Sequence, residues 1–147
     1  MTIFNTLNTA ASALTAQRLR MDVVSSNIAN AETARGKLVD GEWQPYQRKM
    51  VEVKEKNSFS SMLSRAGNGM AGSGVEVTRI SEDESPFKLV YDPAHPDADD
   101  QGYVRMPNVD PLKEMTDLIS STRSYEANVT VFNASKSMLL KALEIGK

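Results

Sequence analysis

The sequence predicts an α+β fold in which two long terminal helices pair as a coiled-coil-like core, with a small antiparallel β-rich middle segment and a flexible loop. All glycines except Gly146 and all prolines except Pro111 lie between residues 31 and 109. Because both residue types disfavour helix interiors, the two ends are free to form long helices. The middle alternates polar and apolar residues, as strands do. The chain therefore divides into an N-terminal helix (1–30), a strand- and loop-rich middle segment (31–109) and a C-terminal helix (110–147).

The residue pattern of the first segment predicts a helix from about residue 5 to about residue 29. Its apolar positions recur at alternating steps of four and three, which places them along one helical face. Asn27 and Asn30 lie where the helix is expected to end. The N-terminal seam comprises Ile3, Leu7, Ala10, Leu14, Gln17, Met21, Val24 and Ile28.

The middle segment predicts four short strands, at residues 46–54, 74–80, 86–91 and 103–106. Each carries β-branched or aromatic residues in alternation and is bounded by Gly, Pro, Asn or Asp. Residues 57–73 are rich in Ser, Gly and Asn and show almost no periodicity. We interpret that stretch as a flexible loop.

The last segment predicts a helix that begins with Asp110 as N-cap and Pro111 at the first helical position, and that ends at Gly146. At about 1.5 Å per residue it would be about 50 Å long, more than a compact domain of this size covers. Part of the apolar surface is therefore expected to pack against other copies as a coiled coil, although a simple helical hairpin is the alternative. The C-terminal seam comprises Met115, Leu118, Thr122, Tyr125, Val129, Phe132, Lys136, Leu139 and Leu143.

Three polar residues, Gln17, Thr122 and Lys136, interrupt the two seams. Such residues cost stability in a coiled coil but fix its register and partner number. The alternative is that each lies at the edge of a broad apolar face.

Composition excludes several classes of function. The 147 residues carry a formal net charge of −2, so attraction to a nucleic-acid backbone is not a driving force. The absence of cysteine excludes disulfides, thiolate zinc sites, iron–sulfur clusters and thiol nucleophiles. No apolar stretch is long enough to span a bilayer, and we expect no cleaved secretory signal.

Two motifs suggest chemistry, but their contexts argue against it. Gly67, Gly69 and Gly72 form a G-x-G-x-x-G, yet no strand precedes it and no helix follows it. The Asp-rich loop at 92–100 could hold Ca²⁺, but compared with the twelve-residue calcium-binding loop it lacks the bidentate Glu at position twelve. Its Asp and Pro residues are also typical of a turn. His95, the single imidazole, lies in that loop between two prolines. We therefore predict no catalytic, metal or cofactor site and no enzymatic activity, with a metal-dependent enzyme centred on His95 and its neighbouring aspartates as an alternative.

Three stretches, residues 12–33, 91–115 and 123–146, resemble bacterial flagellar basal-body rod proteins. In SSNIANAET, the residues Asn27, Asn30 and Thr33 look like the signature shared by the axial proteins of rod and hook. The SYEAN sequence and the KSMLLKALEIG that follows it look like the terminal helix of that family. The YDP…GYV…PNVDP block is most similar to the proximal rod member.

The resemblance implies a structural subunit of the proximal rod that polymerises through its terminal helices into the drive shaft, transmits torque and forms part of the export channel. It implies export across the inner membrane without a cleaved signal, and a place in the basal body, in the periplasm or cell-wall zone. The implied partners are rod proteins of the FlgB, FlgF and FlgG types, rod-base proteins and the flagellar type III export apparatus, with possible self-association. No nucleic acid, small-molecule substrate or cofactor is implied. The alternative is a soluble or secreted helical adaptor that binds partner helices.

Overall fold

The computed structural model describes residues 2–56 and 74–145, with side chains from residue 4 to residue 144 of those ranges. Helix α1 (Thr2–Ala29) is followed by three β-hairpins and then by helix α2 (Pro111–Ile145). The strands are β1 (Lys37–Val39), β2 (Glu42–Gln44), β3 (Lys49–Glu55), β4 (Val75–Glu82), β5 (Lys88–Tyr91) and β6 (Tyr103–Met106). The predicted loop at 57–73, with its three glycines, and the predicted stop at Gly146 lie outside the described residues.

The two helices pair as an antiparallel hairpin, which confirms the predicted fold class. Asn27 bonds to Glu114 at one end of the pair, and further along Thr122 lies 3.5 Å from the sulfur of Met21. As residue numbers fall in α1 they rise in α2, so the helices run in opposite directions. The predicted N-cap is also present, because the Asp110 carboxylate accepts a hydrogen bond from the Leu112 amide at 3.1 Å.

Helix α1 is covered on two sides. Its buried residues Ala10 and Val24 belong to the predicted seam, whereas Ala16 and Val23 lie on a neighbouring face. On that second side α1 contacts the β3–β4 hairpin, and the Ser12 hydroxyl accepts a hydrogen bond from the amide that begins β4, at 3.1 Å. The N-terminal helix therefore carries more than the single apolar face that its periodicity suggested.

The buried face of α2 is shifted by one residue from the predicted seam at three of its nine positions. Glu114, Ser121 and Ser135 are buried, whereas the neighbouring Met115 is exposed, as is Lys136. The predicted residues Leu118, Tyr125, Phe132 and Leu139 are half-buried. Large apolar residues occur around most of the circumference of α2, so a period of 3.5 cannot by itself select the inner face.

The middle segment forms three separate two-stranded antiparallel sheets, β1–β2, β3–β4 and β5–β6. The four predicted strands correspond to β3 to β6, and β6 has the predicted bounds. Strands β3 and β4 have a register shift between Glu52 and Val53. The three hairpins do not join into one sheet, so among the described residues each strand is paired on one edge only.

The β1–β2 hairpin was not predicted, although its signal is present in the sequence. Its turn is Asp40-Gly41, and both residues have positive φ values, 53° and 88°. An Asp-Gly pair that adopts two positive φ angles is the preferred two-residue turn between antiparallel strands. The flanking three-residue strands are too short for alternation to be visible, which is why the pattern was missed.

No helix among the described residues is long and apolar enough to cross a membrane.

The base of the β1–β2 hairpin yields a stability prediction. A Cβ at Gly36 would lie 2.6 Å from the Tyr46 backbone nitrogen, and the Gly36 amide donates to the Gln44 carbonyl at 2.8 Å. Gly36→Ala should therefore lower the free energy of unfolding by about 1 to 3 kcal/mol, as overpacking against a backbone does. Urea denaturation followed by circular dichroism measures this. The control is Lys37→Ala at the exposed neighbouring position, and equal stability of the two variants would contradict the prediction.

Candidate functional site

The most constrained part of the molecule is a buried group of polar side chains at the end of the helical hairpin, which we name the polar junction. Its central members are Asn27 of α1, Arg48 just before β3, and Glu114 in the first turn of α2. Asn27 and Glu114 are each 0% exposed. Residues this polar are seldom fully buried unless they are paired.

Asn27 uses its whole hydrogen-bonding capacity. Its amide nitrogen donates to the Lys49 carbonyl and to Glu114 Oε2, both at 2.9 Å. Its amide oxygen accepts from the Lys49 backbone nitrogen at 2.9 Å and from the Tyr46 hydroxyl at 3.0 Å. A side-chain amide has two donors and two acceptor lone pairs, so each is satisfied. One side chain thereby joins α1, β3 and α2.

Glu114 and Arg48 form the charged half of the junction. Arg48 Nε donates to Glu114 Oε1 at 2.7 Å, and its guanidinium also lies 3.4 Å from Asp83 and 3.8 Å from Asp117. Burial alone would lower the pKa of Arg48, but hydrogen bonds and charge from Glu114 and Asp83 outweigh it and raise that pKa. The guanidinium therefore stays charged opposite the buried carboxylate. The position of Glu114 in the first turn of α2 also suits the positive end of the helix dipole.

Asn108 extends the junction to the turn between β4 and β5. It accepts a hydrogen bond from the Arg48 backbone nitrogen at 2.8 Å and donates to the carbonyls of Asp83 and Ser85 at 2.9 and 3.1 Å. The Ser85 hydroxyl and amide, and then Arg48, lower the pKa of the Asp83 carboxyl. These bonds fix the segment that leads into α2. All of these polar atoms are committed to partners within the chain, which suits a rigid joint.

The axial-family signature residues divide between two roles. Asn27 makes the long-range bonds described above, whereas Asn30 donates to the Ser26 carbonyl at 2.9 Å and accepts from the Thr33 hydroxyl at 3.3 Å. The Thr33 carbonyl also accepts a hydrogen bond from the Tyr46 amide at 3.0 Å. Asn30 and Thr33 thus shape the turn that leaves α1.

The predicted N-terminal seam residues lie mostly within the subunit. Ala10 and Val24 are buried, and the others whose side chains are described are half-buried; they are Leu7, Leu14, Gln17, Met21 and Ile28. The side chain of Ile3 lies outside the described residues. The amide oxygen of Gln17 is buried and has no hydrogen-bond partner in the part of the chain that the structure describes. The proposed role of Gln17 in fixing register stays a prediction.

The predicted C-terminal seam residues divide into two sets. The half-buried set comprises Leu118, Thr122, Tyr125, Val129, Phe132 and Leu139. The exposed set comprises Met115, Lys136 and Leu143. Exposure of large apolar side chains extends further along α2, to Leu112, Ile119, Val131, Met138 and Leu140. This surface is available to neighbouring molecules.

Sequence reasoning missed Arg48, Asn108 and Glu114. Glu114 lies four positions before Leu118 and so in phase with the seam, which was the available signal. Arg48 and Asn108 lie in segments without helical periodicity, and their partners are distant in the chain.

The Asp-rich loop uses its carboxylates for its own backbone and for one ion pair. The Asp92 carboxylate accepts from the Ala94 amide at 3.1 Å, and Asp99 accepts from the Tyr103 amide at 2.8 Å. Asp97 accepts a hydrogen bond from Arg35, which lowers the pKa of Asp97. Within the described ranges, no three His or acidic side chains form a group that could hold a metal ion. The bonding favours the turn interpretation of this loop.

Comparison with known proteins gives a consistent family. The family model "Flagella basal body rod protein" matches residues 7–35, and the model "Flagellar basal body rod FlgEFG protein C-terminal" matches residues 100–145. The flagellar basal-body rod protein FlgC of Bacillus subtilis (strain 168) is 66% identical over 150 residues that cover 100% of both chains. FlgC of Borreliella burgdorferi is 47% identical over 99% of this chain and 98% of its own. FlgC of Escherichia coli O6:H1 is 46% identical over 100% of both chains.

The central amide of the junction can be tested directly. Asn27→Ala should lower the free energy of unfolding by about 2 to 4 kcal/mol, because Glu114 and both polar groups of the Lys49 backbone lose a buried partner. Denaturant unfolding of the purified subunit measures it. Asn128→Ala is the matched control, since that amide donates only to the Ser124 carbonyl one turn earlier, and should cost about 0.5 kcal/mol or less. Similar losses in both variants would contradict a special role for Asn27.

The ion pair can be tested by a double-mutant comparison. Arg48→Met leaves the buried Glu114 carboxylate without its counter-charge and should cost about 3 to 5 kcal/mol. Adding Glu114→Gln removes that charge and keeps an oxygen that accepts from Asn27, so the double variant should be more stable than Arg48→Met alone. Urea midpoints of Arg48→Met, Glu114→Gln and the double variant measure this. A double variant destabilised by the sum of the two single losses would contradict it.

Proposed function

The chain belongs to the FlgC family of flagellar basal-body rod proteins and is a structural subunit of the proximal rod; from that premise we propose that it polymerises into the drive shaft through its two terminal helices. The observation that carries this proposal is the exposed apolar surface of α2. Large apolar side chains are exposed along the whole helix, from Leu112, which is 77% exposed, to Leu143, which is 70% exposed.

At several positions α2 buries a polar residue or exposes an apolar one, the reverse of what is usual for a helix at the surface of a monomer. Several buried positions are polar, namely Glu114, Ser121 and Ser135, whereas Met138 and Leu143 are exposed. An isolated soluble protein seldom leaves so extended an apolar surface in water. A shaft requires contacts in which one surface of a copy meets a different surface of the next, and α2 offers one surface to α1 and another to neighbours.

The exposed apolar side chains also fit a location between other rod proteins in the basal body. We propose rod proteins of the FlgB, FlgF and FlgG types, and rod-base proteins, as neighbours above and below. We propose further that the type III export apparatus delivers the chain across the inner membrane, without a cleaved signal, into the periplasm or cell-wall zone. The absence of cysteine supports this route, because no disulfide has to be broken for an unfolded chain to pass.

The proposal is tested in a strain from which the gene is deleted and to which variants are returned. The intact gene should restore swimming and hook–basal bodies, whereas a copy carrying both Met138→Ser and Leu143→Ser should restore neither. The two residues are 60% and 70% exposed, so their replacement should leave the fold of the free subunit unchanged while removing apolar contacts between subunits. Soft-agar motility, electron microscopy of basal bodies and circular dichroism of the purified subunit are the measurements.

Ala142→Ser is the matched control, because it places a hydroxyl at an exposed position on the same turn of α2. This control should swim normally. Normal swimming by the Met138→Ser, Leu143→Ser variant would contradict assembly through α2. Swimming and normal filaments in the deletion strain itself would contradict a rod function and favour the helical adaptor.

A further inference from the structure

A cleft opens beside the polar junction, between α1, β3 and α2. Its volume is about 260 Å³, well above the roughly 30 Å³ that one water molecule occupies in the liquid, so a small group of atoms fits inside. Arg20 and Ser120 line the cleft and are exposed, whereas Ser121 lines it and is buried. The cleft is therefore open to solvent and has polar walls.

The charges that line the cleft leave one positive charge in excess. The three cations are Arg20, Arg48 and Lys49, and the two anions are Glu114 and Asp117. Both oxygens of Glu114 already accept hydrogen bonds, one from Arg48 and the other from the Asn27 amide. Asp117 lies 3.8 Å from Arg48 Nη2. Because each acid has a cation or a donor beside it, the cleft favours an added anion over an added cation.

Arg20 is the cation in the cleft that has no charged partner. It forms no ion pair with any residue that the structure describes. Asp22 is two positions further along α1, and helix residues at that spacing do not face each other. The ammonium of Lys49, in contrast, lies 5.6 Å from the centre of the Tyr46 ring, where a cation–π contact holds it. An incoming anion therefore meets the Arg20 guanidinium first.

Arg48 has donor capacity to spare in the same cleft. A guanidinium has five N–H groups, and the hydrogen bonds of Arg48 run from Nε to Glu114 and from Nη1 to Asp83. Its Nη2 reaches only Asp117, at 3.8 Å, which is beyond hydrogen-bond length. Two guanidinium groups can thus donate to one anion, and their planar fork matches the two oxygens of a carboxylate.

The chain carries suitable carboxylates on other surfaces. Glu82 ends β4 and Glu84 follows it, and Asp99 and Asp100 lie between β5 and β6. All four are exposed, and none forms an ion pair within the described ranges. In a helical shaft one surface of a copy meets a different surface of the next, so an acidic side chain of one copy can enter the cleft of another.

We propose that the cleft binds a carboxylate side chain of a neighbouring copy, with Arg20 and Arg48 donating hydrogen bonds to it. This proposal rests on the proposed rod function and adds a specific contact between identical subunits. The contact involves two different surfaces, so each copy can give one carboxylate and receive another. A paired charge of this kind fixes the register of neighbouring subunits more than it adds affinity.

Zero-length cross-linking tests the contact in assembled basal bodies. Arg20→Lys keeps the positive charge and supplies an amine, which a carbodiimide joins to a touching carboxylate as an amide with loss of water. The variant is expressed in the deletion strain, and the treated basal bodies are analysed on a denaturing gel and by mass spectrometry. A dimer should appear that joins position 20 of one copy to an acidic residue of another. Arg18→Lys is the matched control, because Arg18 is also an exposed and unpaired cation of α1 but does not line the cleft, and it should give no such dimer.

The outcomes separate this proposal from the function on which it rests. Coupling of position 20 to Asp117 or Glu114 within one copy would overturn the contact, because the cleft would then be closed by its own acids. Coupling to a different rod protein would overturn the choice of a second copy as the occupant. Basal bodies that contain the variant but give no product at position 20 would also overturn the contact and leave the rod function standing. Failure to find the unmodified chain in any basal body would instead refute the rod function.

Charge removal provides a second test that does not depend on the lysine variant being incorporated. Arg20→Gln should reduce the soft-agar swimming halo by about twofold or more, because the incoming carboxylate loses its counter-charge, whereas Arg18→Gln should leave the halo unchanged. The urea midpoints of the two purified variants should agree, since neither arginine forms an ion pair with a described residue. Equal halos would overturn the proposal. A lower midpoint for Arg20→Gln than for Arg18→Gln would overturn it in favour of a role within the subunit.

Discussion

Four hydrogen bonds to the buried Asn27 amide hold α1, β3 and α2 in one arrangement, and the rest of the structure depends on them. The apolar core among the described residues is small and consists of Ala10, Ala16, Val23, Val24, Val104 and Val109. Such a core favours compactness but specifies orientation poorly. A polar network in which every group is hydrogen-bonded specifies the orientation of the elements that it joins, since every alternative arrangement leaves a buried group unpaired. The geometry between the helical hairpin and the strands is thus determined by directional bonds more than by the volume of apolar packing.

Helix α2 divides structural and assembly roles among its side chains. Its buried positions include Glu114, which joins the polar junction, and two serines, whereas many of its large apolar side chains are exposed. Solvent exposure of those apolar side chains is unfavourable, and association relieves it. A subunit built in this way gains much of its stability from its neighbours, by mass action, as the rod grows.

The helices and four of the six strands followed from local patterns, because N-caps, Gly and Pro positions and alternation act over a few residues. The inner face of α2 did not, since Ser121 and Ser135 are buried for reasons of tertiary packing that periodicity does not encode. The pairing of Arg48 with Glu114 spans 66 positions and depends on the path of every intervening element. The Asp40-Gly41 turn was visible in the sequence and overlooked. Asn27 was singled out by family resemblance, but its four hydrogen bonds to Lys49, Glu114 and Tyr46 emerged only from the structure.

The β3–β4 pair indicates where the length of the chain can vary among members of the family. At its open end Glu55 pairs with Val75, and beyond them the Lys56 amide donates to the Gly74 carbonyl at 2.7 Å, so the two chain ends that flank residues 57–73 are clamped together. Because the cost of closing a loop rises only by about 0.6 kcal/mol for each doubling of its length, this point tolerates inserted sequence with little effect on the fold. Lengthening or shortening the chain there should therefore cost the fold little, and a short peptide epitope inserted at the same point would mark the shaft without having to fold before export.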